Sequence, residues 1–224
     1  MNQLGLPFRL DSKMLLSNLI KEKNKQAISF LINLFTEKSS NIVYIYGPKS
    51  SGKTHILQGC AFEALELNLK VFYIDFLQDN PDEVLANLET YDWVIIDNVE
   101  QLNKLQQQDL FSLYNASNSK GLKLIISAKV LPSDLKILKD LKTRLSLATI
   151  FSLKAPDDVT KQEIIKRHVA DKNLKIDYHI YDYLFKHYSR DLTDLLKLIE
   201  LLDEVSLQRK SNITIPLVKQ VLKN

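Results

Sequence analysis

The sequence is short of the features that mark secreted, membrane-spanning and nucleic-acid-coating proteins. It holds one cysteine, Cys60, among 224 residues, so no internal disulfide can form and a buried structural thiol is expected. No apolar run approaches the ~20 residues of a membrane span, and no signal-peptide pattern opens the chain. The net charge of +3 is too small to argue by itself for a surface that coats nucleic acid. We expect a soluble, cytoplasmic protein.

The remaining composition is that of an ordinary globular protein. Hydrophobic residues make up 45% of the chain and charged residues 25%, which are values typical of globular domains. A chain of 224 residues fits one large domain or two small ones. No internal repeats or low-complexity tracts interrupt it.

A phosphate-binding loop is the strongest motif. Eight consecutive residues match the pattern G-x-x-x-x-G-K-[ST]: Gly47, Pro48, Lys49, Ser50, Ser51, Gly52, Lys53 and Thr54. They lie between an apolar run over 41–46 and a helical pattern over 55–67, which is the context this motif requires. The two glycines allow successive amides to turn inward around anionic oxygens, and the helix dipole points at the same site. The pattern predicts a purine nucleotide, with Lys53 on its β- and γ-phosphates and Thr54 on Mg²⁺.

Short apolar runs recur along the first two thirds of the chain and predict buried strands. They lie at 41–46, 71–74, 93–96, 122–126 and 149–153. Helical patterns separate or precede them, at 14–20, 23–37, 83–88 and 107–117. Continuous apolar runs separated by helices are typical of a parallel sheet covered on both faces. The sequence therefore predicts an α/β fold with about five strands.

The pattern changes after Pro156. Helical patterns follow with no strand run between them, at 160–172, 178–188, 192–208 and 215–222. Asp157 offers N-cap chemistry before the first, and Pro216 stands near the start of the last, where its missing amide costs nothing. We therefore predict an α/β domain over 11–155 and a small all-helical domain over 156–224.

The first ten residues form a separate segment rich in large apolar side chains. Pro7 restricts Leu6 to extended geometry, so the segment should not be helical. One interpretation is that the segment folds back and buries Leu6 and Phe8. The other is that it is a linear peptide offered to a groove on a partner, with Gln3 supplying a hydrogen-bonding amide. Composition alone favours the first.

The apolar run 93–96 ends in a carboxylate, Asp97. The carboxyl ends of strands in such a sheet face the ligand crevice, so Asp97 is placed to hold Mg²⁺ beside Thr54. Many phosphate-loop ATPases carry a further carboxylate at the next position, where it orients or deprotonates the attacking water. Asn98 stands there, and an amide cannot take a proton. Losing a positioned base costs on the order of 10² to 10⁴ in rate, so we expect weak intrinsic hydrolysis unless Glu100 reaches in.

Two further polar residues follow the later strands. Ser127 ends the run over 122–126, where its hydroxyl either touches the γ-phosphate or starts a turn toward Pro132. Arg144 lies just before the last strand run. Its default interpretation is a solvated arginine or one that pairs with a carboxylate.

Taken together, these features resemble the DnaA-related branch of the AAA+ ATPases. The resemblance runs from about residue 3 to residue 222 and rests on five features: the loop over 47–54, Asp97, the strand end at Ser127, the segment 143–145 and the helices after Pro156. It implies a nucleotide-binding AAA+ domain with a parallel five-stranded sheet, followed by a helical lid. The implied ligands are ADP or ATP with Mg²⁺, bound by the loop residues and Asp97.

Within this branch, the chain is more similar to a regulatory member than to the DnaA initiator. The chain ends at Asn224, so we expect no helix-turn-helix domain after the lid. The connection from Asp75 to Trp93 lacks room for the additional helices with which initiators contact single-stranded DNA. The start of the chain resembles a sliding-clamp-binding hexapeptide, which favours the linear-peptide interpretation. The residues that would dock on the clamp (the β subunit of DNA polymerase) are Gln3, Leu4, Leu6, Pro7 and Phe8.

The resemblance also gives Arg144 a role, because Arg144 matches the arginine finger that enters a neighbouring subunit's ATP site. Such a finger supplied in trans is worth roughly 10³ to 10⁵ in rate. The resemblance implies that the nucleotide-bound protein, tethered to the clamp, stimulates ATP hydrolysis on DnaA. This hydrolysis would prevent re-initiation of DNA replication. The resemblance further implies that the protein contacts DNA only through the clamp and forms a homodimer or AAA+ oligomer. It also implies a location in the replication machinery at the bacterial nucleoid.

Two positions depart from the family pattern. The second-sensor arginine of the family aligns with Thr193, and Arg190 lies one turn earlier, so the sequence leaves open whether Arg190 reaches the phosphates. Lys129 stands where relatives tend to carry an acidic residue. Two other functions stay open: a helicase loader that hydrolyses its own ATP, and a non-catalytic nucleotide-sensing adaptor that bridges the clamp and a client.

Overall fold

The computed structural model describes residues 10–20, 23–36, 41–78 and 84–222. The predicted clamp-binding residues Gln3, Leu4, Leu6, Pro7 and Phe8 lie outside this part of the chain. The chain divides into two compact units, one ending at Ala155 and the other beginning at Pro156.

The first unit is built on one parallel sheet. Its strands are β1 (Ile42–Tyr46), β2 (Val71–Asp75), β3 (Trp93–Asp97), β4 (Lys123–Ala128) and β5 (Thr149–Ser152). Its helices are α1 (Lys25–Asn33), α2 (Lys53–Glu66), α3 (Lys104–Lys120) and α4 (Lys139–Leu145). The strands are parallel throughout and lie in the order β2-β3-β4-β1-β5. The predicted α/β fold with a five-stranded parallel sheet is confirmed.

Side chains of successive strand residues enter two separate hydrophobic layers, because they alternate across the sheet. The layer that includes helices α3 and α4 holds Tyr44, Ile74, Ile96, Ile126, Leu110 and Leu141. The layer that includes helices α1 and α2 holds Ile45, Tyr73, Ile95, Ile125, Leu31 and Leu57. Burial on both faces explains why the strands read as continuous apolar runs.

Strand register brings the polar strand ends to one edge of the sheet. Asp75 at the end of β2 pairs with Asp97 at the end of β3, and Tyr46 at the end of β1 pairs with Ala128 of β4. Because all strands run the same way, the loop that follows β1 lies at this same carboxyl edge.

Cys60 of α2 is fully buried in the layer that holds helices α1 and α2. Burial raises the pKa of its thiol to about 12. We therefore expect no reaction with a thiol-exchange reagent at pH 8 in the native protein, and one equivalent of reaction after unfolding in guanidinium. Rapid labelling of the native protein would contradict this placement.

Three helix predictions are wrong or too long. The pattern at 83–88 gives turns from residue 84 and a 3₁₀ turn at Leu88–Thr90, because Asn87 adopts a left-handed conformation with φ 60°; residue 83 lies outside the described chain. The pattern at 14–20 gives only a 3₁₀ turn at Leu16–Asn18. The pattern at 23–37 gives a helix that ends at Asn33.

Helix α4 has no counterpart among the predicted elements. It is seven residues long, and no side chain of its own sequence caps its first turn. Instead, the amide of Leu138 donates to the Oε1 atom of Gln107 in α3, at 2.9 Å. A helix stabilised from a distant segment leaves little local signal.

The second unit is helical. Its helices are α5 (Asp158–Asp171), α6 (Tyr178–His187), α7 (Leu192–Arg209) and α8 (Ile215–Val221), and its described residues contain no strand. Aspartate or threonine side chains cap all four N-termini: Asp157, Asp177, Asp191 and Thr214. Ile165, Leu184, Leu195, Ile199, Leu202 and Val218 form the centre of its core. No helix in the described parts of either unit is long and apolar enough to cross a bilayer.

Candidate nucleotide-binding site

The two glycines of the phosphate loop are required for different reasons. A Cβ atom at Gly47 would lie 2.5 Å from the carbonyl oxygen of Leu153, so only glycine permits this close approach to the end of β5. Gly52 has space around it but a φ of 92°, a left-handed conformation that disfavours side chains. Gly52 directly precedes Lys53, so this turn starts helix α2.

Lys53 is held inside the loop. Its Nζ atom donates to the carbonyl oxygens of Gly47, at 2.7 Å, and Pro48, at 2.9 Å. Burial lowers the pKa of Lys53, and the negative charges of Asp97 and Glu100 oppose this shift. The ammonium group is therefore placed in the loop by its own backbone, with a third donor position available to a phosphate oxygen.

Thr54, Asp97 and Ser127 form a hydrogen-bonded cluster beside the loop. The Thr54 hydroxyl donates to Oδ2 of Asp97 at 2.6 Å, and the Ser127 hydroxyl donates to Oδ1. Asp97 is fully buried. Burial raises its pKa, and the hydrogen bonds from Ser127 and Thr54 oppose this shift.

The pair formed by Thr54 and Asp97 fits Mg²⁺. Mg²⁺ prefers hard oxygen ligands and is usually held by one or two carboxylates together with waters and substrate phosphates. Within the described ranges, no group of three or more His, Cys, Asp or Glu residues could hold a metal ion on its own. A cation at this pair would therefore depend on phosphate oxygens or water for the rest of its ligands.

The side chain of Asn98 is hydrogen-bonded to the end of a neighbouring strand. Its side-chain amide donates to Oδ1 of Asp75 at 2.7 Å, and its backbone amide donates to the Ser127 hydroxyl at 3.2 Å. Asp75 also accepts the amide of Leu77 at 2.9 Å. Asn98 therefore links the ends of β2, β3 and β4. Asp75 was not among the predicted site residues, although the run 71–74 ends in a carboxylate in the same way as the run 93–96.

Glu100 and Lys129 lie next to this cluster. Glu100 belongs to a 3₁₀ turn after β3, and both of its carboxylate oxygens are buried without a hydrogen bond from the described residues. Lys129 follows β4, and its Nζ atom lies 3.5 Å from Oε1 of Glu100, which is an ion-pair distance. The positive charge of Lys129 contributes to the low pKa of Lys53, which is caused mainly by burial.

Asn24 joins the loop to the segment after β5. Its Oδ1 atom accepts the amide of Lys154 at 2.9 Å, and its Nδ2 atom donates to the carbonyl oxygens of Lys154, at 3.1 Å, and Ser51, at 3.4 Å. No pattern in the sequence indicates this role, because the three residues come from separate segments. The hydroxyl of Ser51 itself is buried and has no hydrogen-bond partner in the described chain.

Replacing Asn24 with alanine should destabilise the first unit. The change removes three hydrogen bonds, and we expect a loss of about 1 to 3 kcal/mol in the free energy of unfolding. Denaturant unfolding measures it. Asn18→Ala is the matched control, since Asn18 makes one exposed hydrogen bond to Lys13 at 3.0 Å. Equal unfolding free energies for the two variants would contradict the role of Asn24.

Arg144 lies on the exposed side of α4, between the buried anchors Leu141 and Leu145. Its guanidinium carbon is 5.9 Å from the ring centroid of Phe111, a distance that allows a cation–π contact. No carboxylate in the described part of the chain pairs with it. The structure does not bring Arg144 into contact with the phosphate loop of its own chain.

Arg190 lies in the second unit, in the connection before α7 and not on that helix. Its Nη1 atom is 3.6 Å from Oδ2 of Asp158, and its side chain is 72% exposed. Asp191 caps α7 by accepting the amide of Thr193 at 2.9 Å. Arg190 therefore precedes α7, in agreement with the predicted helix over 192–208, and does not share a helix turn with Thr193.

A phosphate loop on a five-stranded parallel sheet, followed by a helical unit, defines a phosphate-loop nucleotide-binding protein of the AAA+ class. Comparison with known families identifies the branch of the AAA+ class. The profile of the bacterial DnaA ATPase domain matches residues 10–151, and that of the Hda lid domain matches residues 158–222. The chain belongs to the DnaA-related AAA+ family, close to Hda, and is a replication AAA+ protein. The family resemblance stated from the sequence is confirmed.

The chain is also similar to individual proteins and solved structures. An uncharacterized protein of Haemophilus influenzae is 29% identical over 226 residues, which cover 98% of each chain. Domain III of the Thermotoga maritima replication initiation protein DnaA superposes with a TM-score of 0.83 at 21% identity, covering 96% of this chain and 98% of that one. AMPPCP-bound DnaA from Aquifex aeolicus gives a TM-score of 0.70 at 24% identity, covering 91% of this chain and 69% of that one. At these identities, the two structures establish a shared fold.

Proposed function

We propose that the chain binds ADP or ATP with Mg²⁺ and, in this state, stimulates ATP hydrolysis on the initiator DnaA by supplying Arg144 in trans. Nucleotide binding is supported by the loop geometry at Gly47 and Gly52 and by the enclosed ammonium group of Lys53. It is supported further by a DnaA structure bound to AMPPCP and single-stranded DNA, which matches with a TM-score of 0.70 at 25% identity.

Each residue of the site has a distinct part in this proposal. The loop amides and Lys53 bind the phosphates, while Thr54 and Asp97 would hold Mg²⁺, which when bound offsets the phosphate charge. The hydrogen bond from Ser127 fixes the orientation of the Asp97 carboxylate. A direct contact of Ser127 with the γ-phosphate, and one of Arg190, remain predictions.

Weak intrinsic hydrolysis is part of the same proposal. The Asn98 amide is engaged by Asp75, at 2.7 Å. An amide cannot accept the proton of an attacking water, and this hydrogen bond holds the side chain against the end of β2. This arrangement counts against a helicase loader that hydrolyses its own ATP. It is compatible with a chain that responds to the bound nucleotide without consuming it rapidly.

The observation that supports a role in trans is the environment of the Arg144 guanidinium. Its guanidinium is exposed, seated on Phe111 and free of carboxylate partners in the described chain, on a helix anchored in the core by Leu141 and Leu145. A solvated surface arginine has no fixed position, whereas the guanidinium of Arg144 lies over the ring of Phe111 on an anchored helix. A guanidinium presented in this way is available to the phosphates of a second molecule.

The sliding clamp is the proposed tether. This part of the proposal rests on the sequence of residues 3–8, in which Gln3, Leu6 and Phe8 supply the amide and the apolar groups of a groove-binding peptide. Clamp capture by wild type, Gln3→Ala and Phe8→Ala proteins tests it directly. Undiminished capture by both variants would remove the tether from the proposal. A homodimer or AAA+ oligomer is proposed on family grounds alone.

The experiment that tests the proposed function is turnover of DnaA-bound ATP in the presence of DNA-loaded clamp, with wild type compared to Arg144→Ala. Stimulation that persists in the variant would favour the alternative of a non-catalytic nucleotide-sensing adaptor. ATP turnover by the isolated chain, abolished by Lys53→Ala, would favour the helicase-loader alternative.

A further inference from the structure

We propose that the ion pair between Glu100 and Lys129 determines how strongly the site discriminates ATP from ADP. The inference rests on the proposed nucleotide binding and goes beyond it, because neither residue belongs to the phosphate loop or to the cluster of Thr54, Asp97 and Ser127.

The carboxylate of Glu100 is in an unusual state for a buried charge. Both of its oxygens are buried and accept no hydrogen bond from the described residues, while the side chain as a whole is 17% exposed. A buried carboxylate without hydrogen bonds is costly and calls for a compensating charge or ligand. The compensating charge is Lys129, whose Nζ atom lies 3.5 Å from Oε1.

Both charges act on the phosphate-binding lysine. Burial is the main cause of the low pKa of Lys53; the carboxylate of Glu100 opposes that shift, and the ammonium of Lys129 adds to it. Glu100 lies three residues after Asp97 and Lys129 two residues after Ser127, so both charges stand at the carboxyl ends of β3 and β4, the edge of the sheet at which the loop lies. The pair therefore belongs to the electrostatic environment of the β- and γ-phosphate positions, although it lies outside the loop.

The sign of the effect follows from the charges. Glu100 alone repels a bound nucleotide, and it repels ATP more than ADP because the γ-phosphate adds negative charge. Lys129 offsets this repulsion. Removing Lys129 should therefore weaken ATP binding more than ADP binding, and neutralising Glu100 should do the reverse. Removing both charges should restore a ratio close to that of the wild type.

The test is the ratio of dissociation constants for AMPPCP and ADP, measured by calorimetry with Mg²⁺ at low ionic strength. AMPPCP replaces ATP so that turnover cannot distort the ratio. We expect Lys129→Ala to raise the ratio by about three- to tenfold and Glu100→Gln to lower it by a similar factor, with both effects reduced at high salt. The double variant should lie within about twofold of the wild type.

Lys120→Ala is the matched control. It removes the same charge from an exposed position at the end of α3, next to the amino end of β4 and hence at the opposite edge of the sheet. Its ratio should equal that of the wild type. Lys129 is half exposed, so its replacement leaves the core intact, and Lys129→Gln repeats the test with a longer polar side chain.

The outcomes separate this inference from the function on which it rests. Unchanged ratios in Lys129→Ala and Glu100→Gln, with both nucleotides bound, overturn the role of the pair and leave nucleotide binding standing. A wild-type protein that binds neither nucleotide overturns the proposed function and this inference with it. Opposite shifts in the two single variants, cancelling in the double variant, support the pair as the selectivity element.

Discussion

Replacing Arg144 with alanine is expected to abolish stimulation of ATP hydrolysis on DnaA. An arginine finger supplied in trans is worth roughly 10³ to 10⁵ in rate, so the partner's turnover should fall to its unstimulated value. The reason lies in the charge that develops on the transferred phosphoryl group, which a guanidinium stabilises through two parallel hydrogen bonds.

A lysine at position 144 should not restore the stimulation that Arg144 provides. Arg144→Lys keeps the charge but loses the planar fork and its contact with the ring of Phe111, 5.9 Å away. We expect most of the stimulation to be lost, which separates geometry from charge alone.

A matched arginine provides the control. Arg167 of α5 is also exposed but pairs with Glu163 at 2.8 Å, so Arg167→Ala should leave stimulation unchanged. Equal stimulation by Arg144→Ala and Arg167→Ala, with both proteins folded and nucleotide-bound, would show that Arg144 is structural.

Replacing Lys53 with alanine should remove nucleotide binding. The ammonium group would make charge-assisted hydrogen bonds to the β- and γ-phosphates, each worth about 1.5 to 3 kcal/mol. We therefore expect affinity for ADP and ATP to fall on the order of 10²-fold or more. The expected readout is loss of the rise in unfolding temperature that saturating ADP gives the wild type, since a ligand stabilises only the state that binds it.

Lys70→Ala is the control for this prediction. Lys70 is exposed at the amino end of β2, at the edge of the sheet opposite the loop. The Lys70→Ala protein should retain the full ADP-induced rise in unfolding temperature. A Lys53→Ala protein that keeps the shift would show that the loop does not bind phosphate through this residue.

The parts of the structure that the sequence predicts are those with a local signal. The strands read as continuous apolar runs because both faces of the sheet are buried, and the loop over 47–54 carries its own conformational requirements at Gly47 and Gly52. Asp97 is predictable because a strand end in a parallel sheet has a known location.

The parts that the sequence misses depend on contacts between distant segments. Asn24 acts on Ser51 and Lys154, at separations of 27 and 130 residues. The amide of Asn98 is used by Asp75, which lies on another strand. Residue types at these positions are ordinary, and only the register of the sheet brings the partners together.

Lys129 is another residue whose contact cannot be predicted from the sequence. From sequence, its departure from the family pattern has no explanation. In the structure it faces Glu100, a carboxylate whose burial could not be read from the chain. The order of the strands places β3 beside β4, so the residues that follow these two strands become neighbours.

The most direct test of the central claim is to follow which nucleotide is hydrolysed. DnaA would be loaded with labelled ATP and this chain with unlabelled ADP, and both would be mixed with DNA-loaded clamp in a single-turnover reaction. We expect rapid conversion of the DnaA-bound label with the wild-type chain and conversion at the unstimulated rate with Arg144→Ala. Equal conversion of the label by the wild type and the variant would contradict it.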